Sequence, residues 1–169
     1  YATEEAGVEV TVGKASTSVS LAASARPSAV GASVTFTATV TAVAPGAGTP
    51  TGTVTFRAGS SVLGQSAIAN DGTAKISTAS LPVGDTEIEA TYDGDANFLP
   101  SSQRITHSVT KTATSITVTS TKNPSVFGES VTFIIDTSTP VAVPTGAITL
   151  RAGDTVLGTG VLDATGRTS

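Results

Sequence analysis

Pro27-Ser28-Ala29-Val30-Gly31-Ala32-Ser33-Val34-Thr35-Phe36 returns 97 residues later as Pro124-Ser125-Val126-Phe127-Gly128-Glu129-Ser130-Val131-Thr132-Phe133. A second pair follows it: Pro50-Thr51-Gly52-Thr53-Val54-Thr55-Phe56-Arg57-Ala58-Gly59 and Pro144-Thr145-Gly146-Ala147-Ile148-Thr149-Leu150-Arg151-Ala152-Gly153, now 94 residues apart. The second copy is therefore three residues shorter between the two words. Lys14 and Lys111 share the first offset, which carried backwards lays Tyr1 on Phe98 and Val8, Val10 and Val12 on Ile105, His107 and Val109. Repetition at a fixed period sets the architecture before any other reading. We expect residues 1–14 to be the last strand of a preceding repeat and residues 15–110 to be one whole unit. Residues 111–169 are then a second unit without its last two strands, and Tyr1 marks an internal position of a longer polypeptide.

Within 15–110 the spacing predicts seven strands. Ser33–Val43 decides the type: Val34, Phe36, Ala38 and Val40 alternate with Thr35, Thr37, Thr39 and Thr41, which is the period of a half-buried strand. The others are Thr17–Ala23, Thr53–Arg57, Ser61–Ala69, Thr73–Ser77, Thr86–Asp93 and Ser101–Thr110. Val54 and Phe56 point inward, as do Ile88, Ala90 and Tyr92. Ala58-Gly59-Ser60 turns the third strand into the fourth. Asn70-Asp71-Gly72 predicts a hairpin between the fourth and fifth, because Gly tolerates the positive φ of such a turn. Leu81-Pro82-Val83-Gly84-Asp85 is read as a crossover. Long helical periods are absent, and β-branched residues dominate.

Seven short strands with turn signals every 8–12 residues predict an all-β fold, an immunoglobulin-like antiparallel sandwich in tandem copies. The resemblance then becomes specific. Pro-Ser-x-x-Gly-x-Ser-Val-Thr-Phe in both copies, Pro-Thr-Gly-x-Val-Thr-Phe at Pro50–Phe56 and Tyr-Asp-Gly-Asp-Ala-Asn-Phe at Tyr92–Phe98 resemble the bacterial Ig-like repeat family. That resemblance implies tandem modules of secreted or surface-anchored bacterial proteins, adhesins included, sometimes beside enzyme or phage structural domains. It implies no activity of the module itself.

Composition narrows the function classes. Net charge is −4 and the nine Lys and Arg are scattered singly, so the basic stripe of a nucleic-acid binder is missing. With no Cys, neither a disulfide framework nor a thiolate site can be built. No apolar run approaches the ~18 residues of a membrane-spanning helix.

Four groups of residues merit a chemical reading. Asp93, Asp95 and Asn97 form Asp-x-Asp-x-Asn, the first half of an oxygen-ligand calcium loop, although no Glu follows at its twelfth place. They are the candidate metal ligands, with calcium stiffening a module junction. The competing reading is a polar loop in which Gly94 supplies the bend and Asp and Asn bond their own backbone. His107 is the one histidine, and its counterpart in residues 1–14 is Val10, so we read a packing or rim position rather than a general base. Glu87 and Glu89 share the outward face of one strand and are read as solvating charges, not as a glycosidase pair. Lys14 and Lys111 fall at unit ends, a poor place for the buried lysine of an isopeptide bond.

The expected function is a non-catalytic structural and interaction module of an extracellular repeat protein: stalk, spacer or adhesive surface. No cofactor beyond the candidate calcium is expected. Expected partners are neighbouring Ig-like repeats and a host or cell-surface protein or glycan, at the bacterial surface, in a secreted protein or in a virion. The alternatives are a carbohydrate-binding accessory module and a filament or phage subunit that forms homo-oligomers by strand exchange. Sugar binding usually calls for exposed aromatics, and the chain has no Trp, two Tyr and five Phe.

Overall fold

The computed structural model describes residues 8–169, and all elements in it are strands. The first seven residues of the expected 1–14 strand lie outside the described residues. Residues 8–14 carry no strand, and Val8, Val10 and Val12 are exposed. The chain divides into two compact units, the first made of residues up to Ser28 together with Ser33–Val109 and the second of Ala29–Ala32 with Thr110–Ser169.

The first unit holds β1 (Thr17–Ala23), β3 (Val34–Ala42), β4 (Thr53–Ala58), β5 (Ser61–Ala67), β6 (Thr73–Thr78), β7 (Gly84–Tyr92) and all but the last residue of β8 (Ser101–Thr110); of the two-residue β2 (Ser28–Ala29) it holds Ser28. They form two sheets, ordered β1-β3-β6 and β2-β8-β7-β4-β5. The pairs β1–β3, β3–β6, β4–β5, β4–β7 and β7–β8 are antiparallel. Alternation does what it predicts. Val34, Phe36, Ala38 and Val40 of β3, Val54 and Phe56 of β4, and Ile88, Ala90 and Tyr92 of β7 are buried to within 1% of full burial. Their side chains fill the space between the sheets, while the intervening Thr hydroxyls stay near solvent. On the outer face Arg104 lies opposite Glu89 and bridges both carboxylates, at 3.2 Å to Glu87 and 3.0 Å to Glu89. These exposed pairs quench charge on the sheet more than they hold the fold.

One expectation needs correction. Asn70-Asp71-Gly72 is a tight turn, with Gly72 at φ 79°, but it does not close a hairpin. β5 belongs to one sheet and β6 to the other, so the turn carries the chain across the sandwich. Local turn chemistry is the same in both cases; what differs is which sheet offers β6 a free edge beside β3. β2 has no counterpart among the seven expected strands. Pro27 has no N–H for a ladder, and the first strand stops before it. The chain then moves to the other sheet and adds two residues beside β8.

The second unit contains β9 (Ser115–Ser120), β10 (Phe133–Ser138), β11 (Ala147–Ala152), β12 (Thr155–Val161) and β13 (Arg167–Thr168). Its sheets are β13-β10-β9 and β11-β12. Leu150/Arg151 carries the same register shift that Phe56/Arg57 carries in the first unit. Ile135 is buried, whereas Ile148 and Leu150 of β11 remain half-exposed. In the first unit the matching β4 pairs with β7 on the edge away from β5; no strand pairs with that edge of β11 among the described residues.

Candidate functional site

The site is the loop between β7 and β8. Its sequence, Asp93-Gly94-Asp95-Ala96-Asn97-Phe98, bends back on itself because Gly94 takes φ 85° and Asp95 N–H donates to the Phe98 carbonyl at 3.1 Å. A carboxylate has room for about four donors around its two oxygens. Asp95 uses four. Oδ1 accepts the backbone amides of Asn97 at 2.8 Å and Phe98 at 2.9 Å. Oδ2 accepts the amide of Thr51 at 2.9 Å and its hydroxyl at 2.7 Å. Thr51 sits just ahead of β4, 44 residues away in the chain, so one side chain ties two loops together. The Thr51 hydroxyl, then the Thr51, Asn97 and Phe98 amides, hold the Asp95 carboxyl far below its ordinary 3.8. The tie is complete above that ordinary value and is lost only as pH falls toward the depressed one. Tyr92, whose buried hydroxyl lies near Asp95 without hydrogen-bond geometry, is pushed up to about 12, by burial first and by the Asp95 charge second.

The loop also grips the chain that enters the unit. Ala15 N–H donates to the Asn97 carbonyl and Leu99 N–H to the Ala15 carbonyl, each at 2.8 Å, forming a short parallel bridge between Ala15 and Phe98. Lys14 Nζ donates to the Asp95 carbonyl at 2.6 Å, and the Thr17 hydroxyl donates to the Leu99 carbonyl at 2.8 Å. From the other side Gly46 leaves room for Ala15: a Cβ on Gly46 would stand 2.5 Å from the Ala15 Cβ. Phe98 is 5% exposed and anchors the loop from below.

The three residues read as candidate calcium ligands are thus on one loop, but they are not used alike. Asp93 and Asn97 are exposed, and Asp95 is half-buried with both oxygens turned to protein donors. Calcium takes six to eight oxygens, so Asp95 would have to surrender amide partners to join such a shell. We expect the melting temperature to stay the same when millimolar calcium replaces EGTA; a rise of several degrees would instead show that the loop recruits the ion.

His107 lies within β8, fully buried, so it holds a packing position and not a rim one. Its Nε2 is 2.9 Å from the Ser28 hydroxyl, and its ring meets Phe36 edge-on at 5.4 Å. A Ser–His contact is the geometry of a nucleophile and its base. Here both residues are buried among core side chains. Aromatic side chains of the first unit's described residues, Phe36, Phe56, Tyr92 and Phe98, are all buried; Phe127 of the second is fully exposed.

This combination of two antiparallel sheets, a β3 core strand and a Tyr-Asp-Gly-Asp-Ala-Asn-Phe clamp loop spans the stretch matched by the family model for the bacterial Ig-like domain (group 3), residues 19–111. That is more than half of the 169 residues. The chain belongs to the bacterial Ig-like domain family. No curated protein and no solved structure matches it. Bacterial Ig-like domains are structural and interaction modules, typically non-catalytic, and they often occur in surface or extracellular proteins. The Ig-like match begins inside β1 and so leaves out Lys14 to Thr17, the segment that the clamp holds. Thr51 and Gly46 were not singled out from the sequence. For Thr51 the signal was present, since Pro-Thr-Gly occurs in both copies.

Proposed function

We propose that this Ig-like chain is a section of an extracellular repeat array whose units act as spacer and interaction modules, with neighbouring repeats as their first partners. The observation that carries this reading is the clamp. A module that only had to fold would have no use for fixing the chain ahead of its first strand. Here Lys14 and Ala15 are tied to Asp95, Asn97 and Leu99 by three hydrogen bonds. A segment so held leaves the unit in a set direction, which limits bending at the joint and suits a rod. The second unit repeats the opening lysine as Lys111, at the 97-residue offset of the first word.

The clamp is tested by backbone NMR relaxation on the whole chain. The Ala15 amide should show an order parameter near that of rigid backbone, about 0.85, and should fall below about 0.6 in Asp95→Ala and in Gly46→Val. The two variants act differently, one by removing acceptors and the other by filling Ala15's space, so a common outcome isolates the clamp. An Ala15 already mobile in the wild type, with β3 rigid, defeats the rod reading.

A further inference from the structure

We propose that His107 is an acid-sensitive latch, which fastens Ser28 to the edge of the five-stranded sheet and releases it when the ring takes up a proton. The latch is independent of the rod reading and depends first on burial. His107 is 0% exposed, its Nε2 meets the Ser28 hydroxyl, and its Nδ1 has no hydrogen-bond partner. A neutral ring tolerates that arrangement, since one nitrogen is bonded and the other, buried, can stay unprotonated. A protonated ring carries a donor on both nitrogens and a full charge, and a buried charge without a partner is strongly disfavoured.

No carboxylate is placed to receive that charge. On β7 the residue opposite His107 is Thr86. Its acidic neighbours belong to the outer face, where Asp85 accepts from the Ser108 hydroxyl and Glu87 and Glu89 hold Arg104. β3 presents the Phe36 ring. The charged group felt by His107 is Arg26, two residues before Ser28, and it has the wrong sign. Burial first, and Arg26 second, hold the imidazole below its ordinary 6.5.

The direction follows from linkage. Above the ordinary value the ring is neutral whether or not the edge is closed. Below it, an opened edge lets the ring bind a proton that the closed form refuses, so opening gains as pH falls. With an ordinary value near 6.5, opening at about pH 5 can be favoured by up to roughly thirtyfold over neutral pH. The weak point of the edge is β2, only two residues long, ahead of Gly31 at φ 76°. β3, buried between two partners, has no such release.

Amide hydrogen exchange on the whole chain tests this. The Val30 amide, which donates to the Thr110 carbonyl, reports on the edge; the Val40 amide, which donates to the Gly72 carbonyl, reports on the core. Between pH about 7.5 and about 5, the protection factor of Val30 should fall on the order of tenfold more than that of Val40. His107→Val should abolish the difference. Ser28→Ala, which keeps the ring but cuts the tie, should leave Val30 poorly protected already at neutral pH, and it serves alone if the histidine variant does not fold. The latch is overturned if Val30 protection ignores pH, if it falls equally with His107→Val, if Val30 and Val40 fall together, or if Ser28→Ala protects Val30 as the wild type does.

Discussion

Phe36→Ala is expected to destabilise the first unit by about 3–5 kcal/mol, the range for truncating a buried aromatic ring. Phe36 is 0% exposed, lies on the inward face of β3, and makes an edge-on contact with His107 of the opposite sheet. Its loss therefore opens a void between the sheets and removes a ring-to-ring contact together. A domain of this size has a total stability of about 5–15 kcal/mol, so the substitution removes a large share of it. Urea unfolding followed by far-UV circular dichroism measures it. Phe127→Ala is the control, because Phe127 lies in the second copy of the opening word and is fully exposed. It should change stability by less than about 0.5 kcal/mol. Equal effects of the two substitutions would mean that the alternation of β3 does not decide the core.

Gly94→Ala is expected to be the most damaging single-methyl addition in the clamp loop. Gly94 holds φ 85°, where an L side chain costs about 1–3 kcal/mol. The added Cβ would also stand 2.8 Å from the Phe98 carbonyl oxygen and 3.1 Å from the Pro100 nitrogen. Both are backbone atoms of the same tight loop, so neither can rotate away. The combined penalty is about 2–4 kcal/mol, and the clamp should fail with it, which the Ala15 amide would report as faster exchange. Gly59→Ala offers the comparison. Gly59 also has positive φ, at 56°, but open space surrounds its missing Cβ, so only the conformational part of the penalty applies. A loss for Gly94→Ala no larger than for Gly59→Ala would show that the loop yields and that the clamp is soft.

Much of the fold was legible because a strand writes its burial in a period of two. Val34 to Val40 and Ile88 to Tyr92 announce both a strand and the face it buries, and the structure buries those residues. Gly59 is equally legible, since a two-residue turn between Ala58 and Ser61 needs little else. The Asp93–Asn97 loop was legible as a polar turn with a candidate use for its carboxylates. Its grip on Ala15 was not, because that grip is made of backbone amides and carbonyls. Every residue but proline carries the same pair, so such a bond leaves no mark on residue type. Thr51 and Asp95 do use side chains, yet 44 residues separate them and a lone Thr looks like any other in a chain rich in them.

The sequence by itself determined that this protein is all-β, where seven strands of the first unit run, which face of β3, β4 and β7 is buried, and that its opening word recurs with a period of 97 residues. Those properties depend on side-chain polarity at short range. Tertiary structure alone decided that β5 and β6 part into different sheets, that Ser28 reaches His107 across 79 residues, and that Asp95 faces amides in place of open solvent. Each depends on which edges and donors become neighbours once the sheets close. Neighbourhood of that kind is set by the packing of the whole unit, and the local pattern of residues carries no record of it.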